Sequence, residues 1–213
     1  MKRYKTIIWD FNGTIIDDVG ASLGAVNDML TKRLQPTIDL AQYQSAVDTP
    51  IWRFYETVFE DGTITPEEAV MEFDSGYEKH LQQNPLMEGI VDVLTHFRNL
   101  GICQVIVSAS HVNKVKARLD DLGIADYFDA VLGRSDYMAE GKTYLAKAYF
   151  EEHNLSAAET IVIGDCVNDY DVAQSLGCDC ILNTKGHQSR REFKGVSAQI
   201  IDLIPELKNL ITR

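Results

Sequence analysis

The chain has little basic charge, few cysteines and no long apolar run, and each shortage narrows what it can be. Twenty Lys and Arg stand against 32 Asp and Glu, a formal net charge of −12. That balance argues against nucleic acid or an anionic membrane as the main partner, because both are bound by excess positive charge. It leaves room for an anionic small molecule, since a metal ion and one lysine reverse the field inside a pocket. No stretch approaches the ~18 apolar residues of a membrane-spanning helix. The opening MKRYKTIIWDF places basic before apolar residues, but Asp10 cuts the run too short for a signal peptide. The four cysteines, Cys103, Cys166, Cys178 and Cys180, show no metal-ligand spacing. Cys178-Asp179-Cys180 would point two thiols to one face of a strand, and without a second Cys or His pair a zinc site is not expected. Reduced thiols in a cytoplasmic protein are the expectation. Repeats, low-complexity tracts and charge runs are also missing, and 213 residues suit one α/β domain with a modest insertion.

What is present begins at Tyr4–Asp18, YKTIIWDFNGTIIDD. A short apolar run ends in Asp10, and Asn12-Gly13-Thr14 follows at once, the pattern of a buried strand delivering a carboxylate to a sharp loop. An acid at a strand's end is costly unless a metal, a donor or chemistry compensates.

Beyond this loop the chain is helix-biased. Leu23, Val26, Leu30 and Leu34 recur at helical spacing until Pro36, and Ile51 to Phe59 forms a second apolar face after Thr49-Pro50. Thr65-Pro66-Glu67-Glu68 starts a helix expected to run to about Gln83, before Asn84-Pro85. From Gly89 onward strands and helices alternate. Strands are expected at 102–107, 130–132, 160–163 and 178–182, and helices at 90–97, 111–122, 142–153 and 169–176. This rhythm predicts a Rossmann-like parallel sheet covered on both faces, residues 1–16 and 86–213, interrupted by an all-helical insertion, 17–85. Ligands of such sheets bind beyond the strands' carboxyl ends. Three of those ends carry polar groups: Asp10, Ser108 in VIVSAS, and Asp165 in IVIGDCVNDYDVA, where Gly164 is expected to let the backbone turn.

The run DFNGT at 10–14 resembles the first motif of the haloacid dehalogenase superfamily, Asp-x-Asp-Gly-Thr, with Asn12 in place of the second acid. Ser108 matches its Ser/Thr motif, Lys142 its basic position, and Gly164-Asp165 with Asp169 its Gly-Asp-x-x-x-Asp motif. Order and spacing match over nearly the whole chain. Lys142 is the weakest match, because Thr143 stands where a proline commonly follows, and Lys147 is its alternative.

The resemblance implies a Mg²⁺-dependent phosphomonoester hydrolase acting on a small phosphorylated metabolite. Asp10 would attack phosphorus and form an aspartyl-phosphate that water then hydrolyses. Asp10, Asp165 and the backbone carbonyl of Asn12 would hold Mg²⁺. Asp169 would join them or act one layer out, and is almost as readily an N-terminal helix acid. Ser108, Gly13, Thr14 and Ala109 would line the phosphate, while Lys142 would neutralise it and keep Asp10 ionised. The insertion, placed where the family carries a helical cap, would close over the site, with Arg53 a candidate for a substrate anion. The segment 183–187 is similar to phosphoglycolate-phosphatase-like members.

Asn12 departs from the pattern. The family's second aspartate protonates the leaving oxygen and activates water, help worth ~10²–10⁴ in rate. An amide does neither, so acyl and aryl phosphates would suffer less than alkyl ones. Water, His111 or a cap residue would have to supply the proton. The contrasting expectation is a phosphate-ligand binder or regulatory module on the same scaffold. Dehalogenases would carry an aromatic residue at position 12. Phosphonatases need a cap lysine, for which Lys79 is the candidate.

Overall fold

The computed structural model describes residues 3–48, 51–60, 62–83, 85–135 and 141–211. Thr49-Pro50 and Asn84, read above as helix boundaries, lie outside them. The first strand, β1 (Thr6–Trp9), is buried along its whole length. The helices that follow are α1 (Val19–Lys32), α2 (Leu40–Ala46), α3 (Trp52–Val58) and α4 (Pro66–His80). The alternating part holds α5 (Ile90–Asn99), β2 (Cys103–His111), α6 (Val112–Asp121), β3 (Ala130–Arg134) and α7 (Lys142–Glu152). It continues through β4 (Thr160–Gly164), α8 (Val167–Leu176), β5 (Asp179–Asn183), β6 (Gln199–Ile201) and α9 (Leu207–Leu210).

The strands make one parallel sheet in the order β3-β2-β1-β4-β5-β6. An all-parallel sheet is covered on both faces, which is why its inner strands read as continuous apolar runs. Ile7, Trp9, Ile106, Ile163 and Phe97 fill one apolar layer, and Ile8, Val105, Val107, Val162 and Leu182 fill the other. Cys178 and Cys180 both lie in the second layer, as the strand periodicity requires, although β5 begins between them. The order reverses around β1, so β1 and β4 present their carboxyl ends side by side at the centre of the sheet.

A third apolar cluster is built from residues 19–73 alone, with Val26, Met29, Leu30, Tyr43, Phe54 and Phe59 at its centre. Thr65 and Glu68 cap α4 reciprocally, the arrangement that its Thr-Pro-Glu-Glu start predicts. The chain enters and leaves this helical part through adjacent segments: Asp17 N–H donates to Pro85 O at 2.6 Å, and Ile16 bridges Leu86. No helix among the described residues is long and apolar enough to cross a membrane.

Candidate active site

Asp10 leaves β1 into a tight turn in which the N–H groups of Thr14, Ile15 and Ile16 all point to Phe11 O. Gly13 sits in this turn at φ +70°, and a Cβ there would fall 2.4 Å from Asp165 Oδ2. The position therefore needs glycine twice, for its left-handed backbone and for the approach of a carboxylate. At the next strand β2 takes two extra residues relative to β3 between Val107 and His111. The resulting bulge carries Ser108 buried, Ala109 exposed and Ser110 half-buried at the sheet's rim. Ser108 Oγ accepts the N–H of Ser110 at 3.0 Å.

Lys142 is 6% exposed at the first position of α7, where an ammonium opposes the helix dipole. Its neighbours explain it. Nζ donates to Asp10 Oδ1 at 2.5 Å and to Asp169 Oδ1. Lys147, the alternative, is exposed. Asp169 Oδ2 accepts the N–H groups of Asp165 and Cys166, both at 3.0 Å, so its carboxylate caps α8 and pairs with Lys142 at once. Asp169 thus stands as the N-terminal helix acid and reaches Lys142 as well. Gly164 has no left-handed backbone: it is glycine because a Cβ would fall 2.1 Å from Asp169 Cγ. Here the expectation of a turn is corrected, since Gly164 is the last residue of a regular strand.

Asp165 is fully buried; Thr14 Oγ1 donates to its Oδ1 at 3.2 Å and His187 N–H to its Oδ2 at 2.6 Å. Burial pushes the carboxyl of Asp10 well up against the pull of Lys142, with Asp169 and Asp165 adding to the rise. Burial also raises Asp165, and Asp169 adds to it. Lys142 pairs with Asp10 and Asp169 while Asp165 lies buried without a paired cation among the described residues, and three ionised carboxylates against one ammonium call for a further cation. Oxygen donors of this kind fit a hard divalent ion. Asp165, Cys166 and Asp169 offer ligand atoms within 4.8 Å of one another. Burial and the adjacent carboxylates hold the Cys166 thiol well above its usual range, which disfavours a thiolate ligand. The carboxylate oxygens present fit Mg²⁺.

A second network lies behind Asn12, centred on Asp18, to which no sequence motif pointed. Asp18, 1% exposed, accepts four hydrogen bonds. Gly13 N–H and His187 Nε2 reach its Oδ1 at 2.7 and 3.2 Å, while Asn12 Nδ2 and the Tyr77 hydroxyl reach Oδ2 at 2.7 and 2.8 Å. Asn12 Oδ1 accepts the Ser110 hydroxyl at 2.9 Å. Burial alone would raise Asp18, but His187, Asn12 and Tyr77 hold it below the usual carboxylate range. Burial would lower His187, yet Tyr43, Asp18 and Asp165 hold its imidazole well above its usual value. The helical part reaches the core here: Tyr43 Oη lies 2.9 Å from His187 Nδ1, and Gln44 Nε2 donates to Gly186 O at 2.9 Å. Asn183 Nδ2 ties the loops together through Gly13 O and Gly164 O, each at 3.2 Å.

Other candidates stand apart. Arg53 is half-exposed, 3.7 Å from Asp48 and over the Trp52 ring, and Lys79 pairs with Asp28 on an exposed face. His111 accepts Asn113 N–H at Nδ1 and meets Ser135 O at Nε2. Gly13 N–H and the Thr14 hydroxyl, expected to face a phosphate, are directed to Asp18 and Asp165.

The family model for haloacid dehalogenase-like hydrolase matches residues 7–183. The chain belongs to the haloacid dehalogenase-like hydrolases. It is 25% identical over 187 residues to the phosphoglycolate phosphatase of Rhodobacter capsulatus, covering 85% of each. Among solved structures it resembles the haloacid dehalogenase-like hydrolase SP0104 of Streptococcus pneumoniae, with a TM-score of 0.83 and 20% identity, over 97% of this chain and 98% of that one. It is also similar in fold to CbbY of Rhodobacter sphaeroides, solved with xylulose-(1,5)bisphosphate, at a TM-score of 0.72 and 18% identity over 96% of each chain. Haloacid dehalogenase-like hydrolases share this sheet, and the motifs at Asp10, Ser108, Lys142 and Asp165 fall inside the matched span.

Proposed function

We propose that this haloacid dehalogenase-like phosphatase removes phosphate from a small phosphorylated metabolite, with Asp10 as nucleophile. The observation that carries the reading is the buried cluster of Asp10, Asp165 and Asp169 around Lys142 at the carboxyl ends of β1 and β4. Structural ion pairs seldom leave two negative charges unmatched in a core, whereas a site for Mg²⁺ and a phosphate does. When bound there, Mg²⁺ supplies charge neutralisation for Asp10 and for the phosphate oxygens. Lys142 orients Asp10 and attracts the phosphate. An oxygen of Asp10 forms a bond to phosphorus while the bond to the leaving oxygen breaks, and the electron pair departs with the leaving group. Water then attacks the same phosphorus, the bond to Asp10 breaks, inorganic phosphate leaves and the carboxylate is restored. The rim at Ser108 and Ala109, with the N-terminus of α6 behind it, receives phosphoryl oxygens.

Residues 1–16 and 86–213 form the catalytic core in this reading and 17–85 a cap, supported by the separate apolar cluster of the helical part. A cytoplasmic setting accords with four free cysteines. The test is Mg²⁺-dependent phosphate release from 4-nitrophenyl phosphate, acetyl phosphate and phosphoglycolate by the chain and by Asp10→Asn. Release that needs Mg²⁺ and vanishes in Asp10→Asn supports it. Phosphate binding without release from any of the three would favour a binding module instead.

A further inference from the structure

Position 12 offers the site no proton, and Asp18 fixes the amide that stands there. A carboxylate bonded by four donors only accepts, so it decides which end of the Asn12 amide faces it. The NH₂ of Asn12 turns to Asp18, and the carbonyl Oδ1 turns to Ser110 and the rim. Position 12 therefore shows the reacting region an acceptor. Most other polar hydrogens nearby are committed. Lys142 gives two of its three to Asp10 and Asp169, and the Tyr77 hydroxyl donates to Asp18. His187 is engaged at one nitrogen by Asp18 and at the other by Tyr43. His111, with Nδ1 accepting from Asn113, carries its proton at Nε2 and gives it to the Ser135 carbonyl. The Cys166 thiol lies 3.4 Å from Asp165 Oδ2 as donor. Among the described residues the hydrogens left over are the third of Lys142 and that of the Ser108 hydroxyl, both on groups too weakly acidic to serve a departing oxygen well.

We infer that Asp18 is a positioning residue that fixes the Asn12 amide with its oxygen toward the rim, and that the enzyme's substrates are phosphates whose leaving group needs no proton. Acyl phosphates, which release a carboxylate, and phosphates of acidic enols or phenols form that class. The inference rests on the phosphatase reading and deepens it. In the first step the P–O bond breaks with its electron pair going to the leaving oxygen. A carboxylate stops there, and an enolate or phenolate takes its proton from water afterwards.

Position 12 cannot be repaired alone. An aspartate there would face Asp18 at the 2.7 Å now spanned by the amide. Two carboxylates at that distance cannot both be ionised, and a proton shared between them points at Asp18 and away from substrate. In the swap Asn12→Asp with Asp18→Asn, the amide at 18 can donate to the carboxylate at 12, and the acid is freed.

The measurement is kcat/KM with saturating Mg²⁺ for acetyl phosphate, 4-nitrophenyl phosphate, phenyl phosphate and phosphoglycolate. This quantity contains the steps up to loss of the leaving group and excludes hydrolysis of the shared intermediate. The expected order places phenyl phosphate and phosphoglycolate about 100-fold or more below 4-nitrophenyl and acetyl phosphate, the lower end of what a general acid supplies. Rates within about tenfold across the series would overturn the inference while leaving the phosphatase reading intact; no release from any of the four compounds overturns both. The Asn12→Asp/Asp18→Asn swap is expected to raise phenyl against 4-nitrophenyl phosphate by about 100-fold, and Asn12→Asp alone to leave their ratio unchanged. A single Asn12→Asp that levels the series as fully as the swap would overturn the role of Asp18. The unmodified chain's own series decides the substrate class whether or not the variants fold.

Discussion

Lys142 Nζ stands 2.5 Å from Asp10 Oδ1 and pairs also with Asp169, so one ammonium from the start of α7 joins groups placed by β1 and α8. Lysine suits this place as a compact charge that divides its three hydrogens between separate acceptors, which the planar fork of arginine does less well. Lys142→Met is expected to lower kcat/KM by about 10²–10³, the usual loss when a charge facing a developing anion is removed. It also leaves buried carboxylates without their cation, at a cost of about 3–5 kcal/mol. Lys142→Arg should recover less than a tenth of the activity. Phosphate release and thermal unfolding of the two variants check this, and near-normal turnover by Lys142→Met would sink the assignment.

The excess negative charge should appear as stabilisation by metal. A ligand that binds only the folded chain at 100 times its Kd adds about 2.7 kcal/mol, which for a domain of this size raises Tm by about 5–10 °C. Mg²⁺ is expected to produce such a rise in the unmodified chain, and Asp165→Asn to abolish most of it. Calorimetry with and without Mg²⁺ reads this in the absence of any substrate. An equal rise in Asp165→Asn would remove Asp165 from the ligands.

Much of this arrangement was legible in the sequence, for identifiable reasons. The inner strands are buried on both faces, so TIIW and CQVIV read as apolar runs, and Asp10 and Asp165 stand out where those runs stop. Lys142 is legible through its place in the motif order, although it is the weakest match there. The helix α2 was missed because LAQYQSA buries only Tyr43 and shows no apolar stripe. The strand β6 has three residues at the sheet's edge, too short for a period to register. Asp18 and His187 meet across 169 residues, and local pattern carries no trace of such a contact. Nothing in the local sequence distinguishes Asp18 from its neighbour Asp17, and only burial separates the two.

Stability should depend on pH through this pair, with opposite signs on the two sides. Asp18 is held below the usual carboxylate value, so its contribution is complete above about pH 3.9 and is lost as the pH falls through its lowered folded value. His187 is held above the usual imidazole value, so its contribution is complete below about pH 6.5 and is lost as the pH rises through its raised folded value. In Mg²⁺-containing buffer, Tm should fall on the alkaline side more steeply for the unmodified chain than for His187→Gln, whose amide carries no charge to lose. Identical alkaline slopes would show that the imidazolium contributes nothing.

Two glycines give a paired test of what the core tolerates. Gly164 ends β4 where an added Cβ would fall 2.1 Å from Asp169 Cγ, and Asp169 cannot retreat without leaving Lys142 and the N–H groups of Asp165 and Cys166. Overpacking of this kind costs about 1–3 kcal/mol in cores, and here it would also displace the carboxylate that positions Lys142. Gly164→Ala is therefore expected to lose both stability and at least about tenfold in kcat/KM, since a misplacement near 1 Å costs up to about 10² in rate. Gly20 lies exposed in α1 with nothing within 4 Å of an added Cβ. There alanine lowers the entropy of the unfolded chain without a clash, so Gly20→Ala should stabilise by about 0.5–1 kcal/mol and leave turnover unchanged. Denaturant unfolding and phosphate release on both variants separate the two effects. A Gly164→Ala enzyme with full activity would mean that Asp169 has freedom to move, and the tie from β4 through Asp169 to Lys142 would then have no role in holding Asp10.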